Sequence, residues 1–149
     1  MTDAEQRPTL NQVNFIARDW DAMLAFYRLL GFDLGAGGEW PPGSGARHAA
    51  VATHAGETTV EFDNPPMLRM YADDAEQIPN VLIGLSYPTA AGVDATVARV
   101  GAGGHSVRQP AYDAFWGARY AIVQDPDGNV VGLMGPIDRS RAYTPAPRS

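Results

Sequence analysis

The chain has no cysteine among its 149 residues. That excludes disulfides, Cys-ligated zinc and a thiol nucleophile, although it does not by itself fix a compartment. Basic charge is also scarce: 11 Lys and Arg stand against 17 Asp and Glu, for a formal net charge of -6. A nucleic-acid backbone and an anionic membrane both need a basic face, so neither is expected as a partner. No apolar run approaches membrane-spanning length. The opening segment MTDAEQRPTL has neither a basic n-region nor an apolar h-region, and a cytoplasmic location is expected. No Ser-His-Asp or Cys-His pattern sits in a strand-turn-helix context, so nucleophilic catalysis has no support.

What is present is a repeated pattern within 45% hydrophobic content, enough for one domain or two small modules sharing a core. Val13 to Ala17 reads as a strand, with Asp19 as the N-cap of a helix from Trp20 to about Leu30. Met23, Leu24, Tyr27 and Leu30 mark its core-facing stripe, and Gly31 ends it. Phe32-Asp33-Leu34 is expected to begin a strand, and the glycine-rich stretch 35–45 a mobile flap, since it lacks the Gly-Lys-Ser/Thr ending of a phosphate loop. His48 to Thr53 and Thr58 to Phe62 form a hairpin about a turn at 54–57, and residues 64–79, with three prolines, read as a linker.

The pattern then restarts: a strand from Val81 to Tyr87, a helix carrying Val93, Val97 and Val100, a strand opening at Ser106, and a loop holding Tyr112, Phe115 and Trp116. A last hairpin, Tyr120 to Val123 and Val130 to Met134, turns on Asp125-Pro126-Asp127-Gly128. The fold class is therefore α+β, with two tandem β-α-β-β-β modules, about 10–64 and 80–136, pairing into one cup-shaped mixed sheet. Residues 1–9 form an N-terminal extension and 137–149 an extended tail.

Three segments, Gln12-Val13-Asn14-Phe15-Ile16-Ala17-Arg18-Asp19, Leu24-Ala25-Phe26-Tyr27-Arg28-Leu29-Leu30-Gly31-Phe32, and Trp116-Gly117-Ala118-Arg119 with Asp125-Pro126-Asp127-Gly128-Asn129, resemble the vicinal oxygen chelate superfamily over roughly residues 10–135. That group includes glyoxalase I, extradiol dioxygenases and bleomycin-resistance proteins. The resemblance implies paired modules forming a cup, often a homodimer, with metal ligands on the first and last strands of each module. Carried over by position, the ligands fall at Gln12, Glu61, Leu82 and Gly132, where the family's metal enzymes usually hold His, Glu, His and Glu. The equivalent pairs are spaced by 70 and 71 residues (82 minus 12, 132 minus 61). Two of these four side chains have no donor atom, and a divalent catalytic metal needs about three His, Asp or Glu ligands. No metal and no cofactor are expected, and Gly132 is expected to widen the cup's floor.

The leading expectation is a metal-free protein that sequesters a hydrophobic or aromatic small molecule, as the family's antibiotic-resistance members do. Its expected ligand-binding residues are Gln12, Asn14, Trp40, Glu61, Leu82, Tyr112, Phe115, Trp116 and Gly132. Asn14 shares strand parity with Gln12, and the aromatics stand outside periodic core positions. Two alternatives stay open: a metal-dependent lyase or dioxygenase with displaced ligands His48, His54 and Glu61, or a cofactor-free enzyme with Glu61 as general base. Each residue also has a plainer reading. Glu61 can be a solvated strand carboxylate, His48 and His54 surface residues, and the aromatics packing at the rim or covering a dimer interface. His105 is expected to be exposed.

Overall fold

The computed structural model describes residues 7–53, 56, 58–126 and 128–146. Among these the chain forms β1 (Thr9–Ile16), α1 (Trp20–Leu29), β2 (His48–Ala52), β3 (Thr59–Asp63), α2 (Pro65–Tyr71), β4 (Val81–Ser86), α3 (Ala90–Ala102), β5 (Ser106–Asp113), β6 (Arg119–Gln124) and β7 (Val130–Met134). All seven strands join one mixed sheet in the order β2-β3-β1-β4-β7-β6-β5. Its centre is the antiparallel pair β1–β4, flanked by the parallel pairs β1–β3 and β4–β7. Both halves of the cup thus come from a single chain.

Strand alternation sorts the residues onto two faces. On the convex face Phe62 and Ala49 pack against Trp20 and Leu24 of α1. Val93 of α3 packs likewise against Ala121, Val123 and Leu133. Phe62 is fully buried, which contributes about 1.5–3 kcal/mol relative to exposure. Asp19 caps α1 by accepting from the Ala22 amide, and Gly31 takes the positive φ that ends it. Leu30, expected on the core stripe, lies past the helix and is exposed.

Two expected elements are corrected. Phe32 to Leu34 adds no strand, because α1 side chains hold the carbonyls that follow: Arg28 donates to Leu34 and Gly35, and Trp20 Nε1 donates to Ala36. Residues 64–79 are not a linker. Asn64 caps α2 through the Met67 amide, with Pro65 and Pro66 in the first turn, and a 3-10 turn follows at Ala75–Gln77. Met67, Leu68, Met70 and Tyr71 of α2 are buried with Ile16, Leu82 and Ile122, closing one end of the concave face. Tyr112 lies on β5 rather than in a loop.

The tail is not a free arm either. Asp138 N donates to Gly117 O, Tyr143 N to Phe115 O, and Arg141 pairs with Asp113, which folds residues 137–143 back along the cup's rim. The turn at 54–57 that includes His54 lies partly outside the described residues, His54 with it. Among the described residues no helix is long and apolar enough to cross a membrane.

Candidate functional site

The concave face encloses a cavity of about 580 Å³ with a polar inner pole and an aromatic wall. Alternation on β3 turns Glu61 and Asp63 toward it, and alternation on β1 turns Gln12 and Asn14. His48, opposite Asp63 on β2, completes the pole.

Asp63, almost wholly buried, is its hub. Its Oδ1 lies 2.6 Å from His48 Nδ1, and its Oδ2 accepts from Asn14 Nδ2 at 2.6 Å and from the Tyr71 hydroxyl at 2.8 Å. The carboxylate therefore fixes the imidazole ring and leaves Nε2 for the cavity. Nε2 is 3.9 Å from Glu61 Oε2, an ion-pair distance but too long for a hydrogen bond. Glu61 Oε1 accepts from Thr59 Oγ1 at 2.9 Å. With its carboxamide nitrogen turned toward Glu61, Gln12 donates at 3.1 and 3.3 Å.

These surroundings move both titrating groups upward. Burial raises Glu61 above the usual carboxylate value; the charge of His48 and the Thr59 hydrogen bond pull the other way without cancelling it. For His48 burial is the largest influence and acts downward, but the Asp63 hydrogen bond and the charges of Asp63 and Glu61 together outweigh it. Tyr71 and Tyr120 are pushed well above the ordinary phenol value, chiefly by burial, and stay neutral hydroxyls.

The wall is a relay of ring contacts from rim to floor. Trp40 tilts against Phe115 at 5.7 Å, Phe115 meets Trp116 edge-on at 4.9 Å, and Trp116 meets Tyr120 at 4.9 Å. Trp116 Nε1 also donates to Met134 Sδ at 3.2 Å. Ile137 and Arg139 of the folded-back tail close the outer edge.

Gln12, Asn14, Trp40, Glu61, Phe115, Trp116 and Gly132 are thus brought to one cavity. Leu82 and Tyr112 are not. Leu82 is fully buried among Ile16, Tyr120 and Val130, and Tyr112 packs outside the wall, its hydroxyl on the Tyr71 carbonyl. His105 is exposed. Gly132 does not widen the floor as expected. A Cβ there would lie 2.7 Å from the Tyr120 hydroxyl, 3.1 Å from Tyr120 Cε2 and 3.2 Å from Leu82 Cδ2, so the buried Tyr120 ring already fills the space. Gly84, its neighbour on β4, likewise makes room for Gln12 Cγ.

Sequence reasoning missed Asp63, Tyr71 and Tyr120. Asp63 had a signal, since it shares strand parity with Glu61; Tyr71 was hidden inside the supposed linker.

These residues do not fit the family's metal. Leu82 and Gly132 offer no donor atom, the place of a fourth carboxylate is filled by Tyr120, and His48 Nδ1 is already engaged by Asp63. Among the described residues no group of three or more His, Asp or Glu is disposed to hold a metal ion.

The model of the Glyoxalase/Bleomycin resistance protein/Dioxygenase superfamily matches residues 9–133. Among solved structures, methylmalonyl-CoA epimerase from Mycobacterium tuberculosis is similar at 17% identity and a TM-score of 0.62, covering 96% of this chain and 97% of that one. A variant methylmalonyl-CoA epimerase from Streptomyces coelicolor, solved with 2-nitronate-propionyl-CoA, is 22% identical over 87% of this chain and 98% of its own, with a TM-score of 0.58. A glyoxalase/bleomycin resistance protein/dioxygenase superfamily member from Vibrio splendidus is 13% identical, with 88% and 99% covered and a TM-score of 0.54. No curated protein matches the chain.

Proposed function

The chain belongs to the glyoxalase/bleomycin resistance/dioxygenase superfamily, and from that premise we propose that it is a cytoplasmic, metal-free protein that binds a small aromatic molecule. One observation carries this reading: a single cavity of about 580 Å³ sets the rings of Trp40, Phe115 and Trp116 against a buried polar pole. Ligand sites typically measure about 300–1,000 Å³ and combine apolar walls with a few convergent polar groups. The aromatic wall supplies affinity, since burying a ring system contributes about 25 cal/mol per Å², and the polar pole orients the guest. Sequestration, as in an antibiotic-resistance role, requires that the compound leave unchanged.

The second reading, a cofactor-free acid–base enzyme, is favoured by the His48–Asp63 pair, which holds Nε2 toward the cavity beside Glu61. A base positioned this way can take and return a ligand proton.

The test is titration of planar aromatic compounds, anthraquinone-like and glycopeptide-like, monitored by tryptophan quenching, with recovery of the compound for mass spectrometry. Saturable quenching and an unchanged compound support binding. Isotope uptake from heavy water at one position, or a new mass, transfers the assignment to the enzyme reading, and no quenching across the panel defeats both. Elemental analysis of protein purified without chelator tests the metal-free claim, which one equivalent of tightly held Mn, Fe, Co, Ni or Zn would refute.

A further inference from the structure

The inner pole of the cavity has an unmet demand. Asn14 is 3% exposed, and its Nδ2 donates to Asp63, yet its Oδ1 has no hydrogen-bond partner among the described residues. A buried carbonyl left in that state is destabilising unless a donor arrives. Beside it, Glu61 is the register partner of Asn14 across the β1–β3 pair and lines the same cavity. Asp63 spends both oxygens on His48, Asn14 and Tyr71. Glu61 Oε2 takes one hydrogen bond, from Gln12 at 3.3 Å, and lies 3.9 Å from His48 Nε2, so it keeps capacity for a second close donor.

Charge points the same way. The pole holds two carboxylates with one imidazole between them, and the guanidinium lining the cavity, Arg139, belongs to the outer edge. An anionic head group would bring a third acidic group to a pole that sets one imidazole against two carboxyl groups, and an apolar one would leave Asn14 Oδ1 unmatched. A nitrogen bearing protons satisfies both, because it donates to the carbonyl and neutralises the carboxylate in one place.

Building on the binding reading above, we propose that the cavity selects aromatic amines, the ring lying against Trp40, Phe115 and Trp116 and the protonated nitrogen seated between Asn14 Oδ1 and Glu61. The positive nitrogen beside Glu61 also stands close to His48, so binding favours the neutral imidazole. Tyr71, whose hydroxyl donates to Asp63, and the buried Tyr120 stay uncharged.

Calorimetric titration of the full chain with naphthylmethylamine, naphthylmethanol and naphthoate tests this, since the three share a ring and differ only in head group. The amine is expected to bind at least about tenfold more tightly than either of the others. Glu61→Gln is expected to remove that advantage, so that within the variant the amine binds no more tightly than naphthylmethanol. Equal affinities, or naphthoate binding best, overturn the amine assignment and leave the binding reading standing. Failure of all three to bind overturns both. An amine advantage that survives in a folded Glu61→Gln variant also overturns the assignment; if that variant does not fold, the wild-type ranking decides alone.

Discussion

His48 Nδ1 and Asp63 Oδ1 face each other at 2.6 Å across the β2–β3 pair, and the same carboxylate accepts from Asn14 and Tyr71 on its other oxygen. One buried group therefore ties β1, β2, β3 and α2 together at the floor of the cavity. Asp63→Ala should cost about 3–5 kcal/mol, because it strips three partners of their acceptor, two of them, Asn14 and Tyr71, buried. Asp63→Asn keeps the shape and some of the bonds, and should cost less. Denaturant unfolding at neutral pH gives both values; a loss in Asp63→Ala below about 1 kcal/mol would show that the hub is not structural.

The upward shifts of His48 and Glu61 fix the sign of the pH dependence. Each group has a higher pKa folded than unfolded, so the native state binds more protons and stability falls as pH rises through each window. For His48 the contribution is complete below its ordinary value of 6.5 and disappears as pH climbs through the raised folded value. For Glu61 a penalty begins above its ordinary 4.5 and is complete once pH passes the raised folded value. The stability gap between wild type and His48→Gln should therefore narrow as pH rises past neutrality. Glu61→Gln should gain on wild type between acid and neutral pH. A gap independent of pH in both variants would contradict the picture.

The sequence exposed what depends on local pattern. Alternation and turn chemistry located β7 to the residue, and the Asp19 cap and Gly31 stop placed α1 within one residue. The family likeness brought Gln12, Glu61 and Gly132 to one cavity. What stayed hidden depends on contacts distant in sequence. The Asn64-Pro65-Pro66 run looked like chain breaking, yet it is an N-cap with prolines in the first turn, where a helix needs no amide donor. Phe32 to Leu34 has strand composition, but Arg28 and Trp20 claim the neighbouring carbonyls. The glycine at 132 suggested empty space because nothing local reveals that Tyr120, opposite Met134 on the paired strand, leans across to fill it.

That last contact makes the glycine a packing partner rather than a gap. Gly132→Ala should destabilise the fold by about 1–3 kcal/mol, the usual cost of an extra methyl in a filled core. In a Tyr120→Leu background, which removes the hydroxyl and ring edge, the same substitution should cost markedly less. A double-mutant cycle measures the coupling, and additive effects would mean that Tyr120 is not what excludes the methyl. By the same steric argument, Gly132→Glu combined with Gln12→His and Leu82→His should not restore a metal site while Tyr120 remains. Nickel or zinc binding tighter than the parent's would refute this.

The two tryptophans on opposite faces of the sheet separate recognition from stability. Trp116 lines the cavity, touching Phe115 and Tyr120 edge-on, whereas Trp20, the first residue of α1, is buried against the convex face with its Nε1 donating to the Ala36 carbonyl. Trp116→Ala should weaken binding of a planar aromatic by at least about 1 kcal/mol, roughly fivefold, as aromatic anchors in desolvated pockets do. Trp20→Ala should instead cost about 3–5 kcal/mol of folding stability. Where it remains folded, its affinity for the same compound should match wild type, because the sheet stands between the ring and the cavity. Titration and thermal unfolding of both variants, run side by side, decide the matter. Unchanged affinity in Trp116→Ala would remove the aromatic wall from the binding site, and a large affinity loss in a folded Trp20→Ala would show that the two faces are not independent.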